Sequence, residues 1–126
     1  MDSEKTMRLA RIISEGILTP IIYMLEDEDR LSFVCFCDRH ITMKEIYDVE
    51  QRLEMEAGMK SEIIDIREYG ETERINVLND YTLIYSEHPL LEKILAQTMI
   101  EEFRIAMSER KDVLARQKES GTYYLQ

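Results

Sequence analysis

The chain has no tryptophan and only four glycines, two prolines and two cysteines in 126 residues. Sparse Gly and Pro leave few points where regular structure must break, so long elements are expected. Cys35 and Cys37 stand one residue apart, too close to staple a framework. A reduced, cytoplasmic protein is the expectation. No apolar run approaches the roughly 18 residues of a membrane span, and the opening MDSEKTMRLARIISEGIL lacks the continuous apolar centre of a signal peptide. Basic residues are also short, 16 against 26 acidic ones, for a net charge of −10. Such a surface repels phosphate backbones, which argues against generic nucleic-acid binding and suits a protein partner.

What remains is globular: 44% hydrophobic and 33% charged residues, enough for one domain with its own core. Leu9, Ile12, Ile13 and Ile17 recur at helical spacing behind Asp2 and Ser3, and Gly16 is the expected terminator of a helix over 3–16. LTPIIYML (18–25) reads as an edge strand because Pro20 cannot donate to a ladder. RLSFVCFC (30–37) is apolar on both faces, as in a strand buried between layers. Thr42 and Glu45 form a capping box ahead of Ile46, Val49, Leu53 and Ala57, with Gly58 as the C-cap. SEIIDI (61–66) reads as a second central strand, ETERINVLND (71–80) as a short helix and YTLIY (81–85) as a third short strand. From Pro89 a helical pattern runs about 30 residues, over about 89–118, and GTYYLQ (121–126) reads as a flexible tail. The order implies an α/β fold, a small mixed sheet with helices packed against it and a long C-terminal helix, in a single domain over 1–120.

Three stretches carry a resemblance. EDEDRLSFVCF (26–36), SEIIDIRE (61–68) and INVLNDYTLIYSEHP (75–89) together resemble the minimal nucleotidyltransferase domain of the polymerase-beta-like superfamily. The first looks like its Asp-x-Asp strand, the second like the strand with the third carboxylate, the last like the closing helix and strand. The resemblance implies two Mg²⁺ ions bridging nucleotide phosphates. Its first metal-binding Asp falls on Asp29, its second on Leu31, and its third on Glu62, or on Asp65 in another register. Asp27 is a further acid in the same burst. The family's Gly-Ser loop, where backbone amides approach the phosphates, has no counterpart in residues 18–28.

With Leu31 unable to bind a cation, the resemblance implies a degenerate member without a cofactor. Such a chain would act as a non-catalytic interaction or regulatory protein, antitoxin-like beside a small helical partner. The competing reading is a divergent nucleotidyltransferase moving AMP from ATP, with Asp29, Glu62 and Asp65 holding Mg²⁺. A plain homodimer is the third. Zinc at Cys35, Cys37 and His40 would need a second ligand pair that the sequence lacks, so packing is the simpler role for the cysteines. The long helix carries an apolar stripe, Leu91, Leu95, Met99, Phe103, Met107 and Leu114, that a small sheet cannot cover throughout. This stripe is the expected interaction surface, for a second copy or a small helical protein.

Overall fold

A computed structural model describes residues 1–37 and 39–120, except the side chains of 117–120; the predicted tail at 121–126 lies outside the described residues. Helix α1 spans Ser3–Ile17, β1 Ile21–Glu26, β2 Arg30–Phe36, α2 Met43–Ala57, β3 Lys60–Asp65, α3 Glu71–Asp80, β4 Thr82–Ser86 and α4 Pro89–Ser120. A 3-10 turn, Ile66–Glu68, follows β3. The four strands lie in the order β3-β2-β1-β4, with β1 antiparallel to β2 and β4, and β2 parallel to β3. This is the mixed α/β architecture expected.

The two-residue period of the strands divides the core. Ile22, Met24, Leu31, Phe33, Cys35, Cys37 and Ile63 face one layer, against Leu9, Ile13 and Ile17 of α1 and Val49 and Leu53 of α2. Ile21, Tyr23 and Val34 face the other, where Val77 of α3 and Met99 of α4 close the second cluster. Both cysteines are free and buried, and burial pushes the Cys35 thiol well up. Packing is therefore their role.

Two strand positions differ from expectation. β1 is central, since Pro20 lies just before the strand and its carbonyl accepts from Glu87 N at 2.9 Å. β3 is an edge, its outward Ile63 N–H satisfied by the Glu50 carboxylate of α2 at 2.8 Å. Helix α1 also ends later than Gly16. Leu18 takes the left-handed cap at φ 61°, while Gly16 permits a close approach of α1 to Val49 of α2. The second helix is as expected: Thr42 Oγ1 accepts from Glu45 N at 3.1 Å, Glu45 Oε1 accepts from Thr42 N at 3.2 Å, and Gly58 is left-handed.

Helix α4, 32 residues and about 48 Å long, outruns the sheet. Of its predicted interaction stripe, Met99 is buried and Leu91 and Leu95 pack against the second cluster, so these three serve the chain's own core. Phe103 and Met107 are half-buried and Leu114 is exposed. No helix among the described residues is long and apolar enough to cross a membrane.

Candidate functional site

The β1–β2 hairpin carries Glu26, Asp27, Glu28 and Asp29, all exposed. The Asp27 amide donates to Arg30 O at 3.0 Å, closing the turn. Beyond it β2 and β3 run parallel, Arg30 opposite Lys60, Ser32 opposite Glu62 and Cys35 opposite Asp65. Ser32 Oγ donates to Glu62 Oε1 at 3.0 Å, and Arg30 Nη1 lies 3.7 Å from the same oxygen. Arg30, Ser32 and Glu62 thus form one cluster at the hairpin end, on the face opposite α1 and α2.

This register corrects the expected one. Leu31, the position expected for a second acid, is fully buried on the α1/α2 face. Two ligands spaced i, i+2 on β2 and aimed at Glu62 would occupy positions 30 and 32, where this chain has Arg and Ser. Asp65 does not converge with Glu62: it lies three residues further along β3. There its carboxylate takes the Arg67 guanidinium at 2.6 Å and the Arg67 amide at 3.0 Å. Asp29 stays exposed in the hairpin. Among the described residues, no three His, Cys, Asp or Glu side chains gather as a metal-binding group. Two bridged divalent ions need several carboxylates. One carboxylate, one hydroxyl and one guanidinium do not fit that demand, and the guanidinium itself repels a cation.

Two tyrosines that the motifs left unassigned stand beside the cluster. Tyr69 follows the 3-10 turn and Tyr81 caps α3, and both pack half-buried against the second core cluster. Each phenol influences the titration of the other, and burial pushes both upward. Burial and Tyr69 push the Tyr81 phenol up to about 12, with further contributions from Glu62 and Asp27. The only sequence signal for them was their place just before α3 and just before β4. Arg30, Ser32 and Glu62 thus stand beside two half-buried tyrosines and an acidic hairpin.

No family model matches the sequence, and no curated protein does. Solved structures do match in three dimensions. A chain of the toxin–antitoxin MntA-HepT superposes with a TM-score of 0.76 at 10% identity, covering 91% of this chain and 97% of that one. The chain has the minimal nucleotidyltransferase fold. The same fold match extends to a tri-AMPylated Shewanella oneidensis HEPN toxin in complex with MNT antitoxin. There the TM-score is 0.76 at 11% identity, with 92% and 98% of the chains covered. A toxin–antitoxin with AMP-PNP matches with a TM-score of 0.73 at 10% identity, over 92% and 98%. Identity this low carries the fold alone. It nevertheless overturns one expectation. The nucleotidyltransferase fold does not imply freedom from cofactors when a structure sharing it along nearly its whole length contains an ATP analogue.

Proposed function

We propose that the chain is the nucleotidyltransferase-fold member of a toxin–antitoxin pair, and that it takes an adenine nucleotide at the hairpin end of its sheet. The observation that supports this is the end-to-end match to structures of such pairs, one of them with AMP-PNP. The partner in this reading is a small protein, not a nucleic acid or a membrane. Arg30 contacts the phosphates, Glu62, itself held by the Ser32 hydroxyl, positions the guanidinium, and Tyr69 and Tyr81 form the adjoining wall.

Adenylyl transfer to the partner is better supported by the structural relatives than a purely regulatory role, because one of them holds a toxin carrying three AMP groups. The transfer would form a bond between a partner hydroxyl oxygen and the α-phosphorus of ATP. The α–β anhydride breaks, pyrophosphate leaves and the hydroxyl proton passes to solvent. The donor set at Arg30, Ser32 and Glu62 gives no route through a two-ion centre, so no metal step is assigned. The binding-only version is favoured by that same donor set.

Calorimetric titration with ATP in excess Mg²⁺ tests the shared part. Saturable heat is expected, weakened about tenfold by Arg30→Glu, which reverses the central charge. No heat at millimolar ATP overturns nucleotide binding. Incubating the chain and its partner with ATP labelled at the α-phosphate then separates the versions. Label on the partner means transfer, whereas binding without label means regulation by occupancy.

A further inference from the structure

A hollow of about 240 Å³ lies on the α3/α4 layer, between the sheet and the first half of α4. Ile21 of β1 and Phe36 of β2 line its sheet side, Ile66 of the 3-10 turn one wall, and Leu91, Leu95 and Met99 its helix side. Exposed Ile94 and Thr98 mark its mouth. Protein interiors pack as densely as organic crystals, so a hollow of this size forfeits dispersion contacts along its lining. It stands apart from the hairpin end: Phe36 is six residues along β2 from Arg30, roughly 20 Å.

The chemistry of the lining limits what can fill it. Four polar side chains reach the hollow, Arg67, Arg74, Thr98 and Glu102, and each is already engaged. Arg74 Nε donates to Ile66 O at 3.2 Å and Nη1 to Glu102 Oε2 at 3.0 Å, which closes an ion pair between α3 and α4. Arg67 is paired with Asp65, and Thr98 Oγ1 donates to Ile94 O at 2.8 Å. No buried side-chain nitrogen or oxygen among the described residues lacks a hydrogen-bond partner. A charged head group would have to break one of these pairs to be held, and an apolar wall gives water too few partners.

We propose that this hollow is a binding site for a compact, uncharged apolar molecule, one or two fused rings in size. An engineered cavity of about 150 Å³ lined by Leu, Ile and Phe takes benzene on the same grounds, and the larger hollow has room for a second ring. The occupant touches both the sheet and α4, so its binding fastens the first half of the helix to the second core cluster. The Arg74–Glu102 pair walls the site and does not read the ligand. The site does not depend on the nucleotide reading.

Indole is the probe, indole-3-carboxylate its charged counterpart, and the Met99 methyl group the reporter, read by NMR of the full chain labelled at its methionine methyls. Met24 lies on the opposite layer and serves as the control. Indole is expected to shift the Met99 resonance saturably and leave Met24 unmoved, and the carboxylate to bind at least tenfold more weakly. Thr98→Trp, at the exposed mouth, is expected to stay folded by circular dichroism and to weaken indole at least tenfold. No shift of Met99 in millimolar indole overturns the proposal, as does an equal response at Met24. A carboxylate that binds as tightly overturns it too, because the guanidinium groups would then be reading a head group, and so does unchanged affinity in Thr98→Trp. A Met99 shift that arises only on concentrating the chain, or only on adding a partner protein, would mean that a protein side chain fills the hollow, and also overturns it.

Discussion

Glu50, on the inner side of α2, accepts the backbone N–H of Ile63 at the outer edge of β3, at 2.8 Å. A helix side chain thereby occupies a ladder position that an edge strand otherwise leaves open to another chain. Burial pushes the Glu50 carboxyl up despite the amide, so the folded chain holds that proton more readily than the unfolded one. The group adds stability as pH falls from above its folded pKa to the ordinary glutamate range, and costs stability at neutral pH. Glu50→Gln keeps the acceptor and drops the charge, so it is expected to match or exceed wild type in urea unfolding at pH 7. Glu50→Ala strands the N–H and is expected to cost about 1–3 kcal/mol. An Ala variant as stable as wild type would remove Glu50 from this role.

Gly16 is needed for a different reason. A side-chain carbon there would collide with Val49 Cγ2, and both residues sit where α1 crosses α2. Gly16→Ala is expected to lower stability by about 1–3 kcal/mol through overpacking, in spite of the better helix propensity of alanine. Adding Val49→Ala should recover part of the loss in thermal denaturation. A stabilised single variant would show that the helices part without cost.

Glu45 reports on the start of α2. The Arg39 guanidinium, at 2.6 Å, and then the Thr42 amide hold its carboxyl down at about 2. A depressed carboxylate contributes stability that is full above its unfolded pKa and is lost as pH falls through the folded one. The cap should therefore loosen between about pH 4.5 and pH 2. Side-chain NMR titration checks it directly: a Glu45 midpoint in the ordinary glutamate range would mean that the Arg39 contact does not persist in solution.

Along α4 the stripe divides into two energetic classes. Met99→Ala empties a fully packed position and is expected to cost about 2–5 kcal/mol. Leu114→Ala removes an exposed side chain and is expected to change monomer stability by less than about 0.5 kcal/mol. Chemical denaturation measures both. Equal losses at the two positions would mean that α4 folds back over its whole length.

Where the physics is local, the sequence alone was enough. The Thr42–Glu45 box and Gly58 bound α2 because each contact spans three or four residues and needs no other element. Pro89 opens α4 for the same kind of reason, and the alternation of strands and helices carried the fold class and the nucleotidyltransferase resemblance. Tertiary structure decided the rest. Asp29 and Leu31 share a strand period, but which face of β2 meets Glu62 depends on which layer α1 and α2 cover. A one-residue difference in that assignment replaces an acid and a leucine with Arg30 and Ser32. Pro20 suggested an edge, yet it stands just outside β1, and strand order is a long-range property that no local residue encodes. The stripe on α4 is continuous in sequence. Only the extent of the sheet decides that Leu91, Leu95 and Met99 become core while Met107 and Leu114 lie beyond it, because burial depends on what stands opposite a side chain and not on its own period.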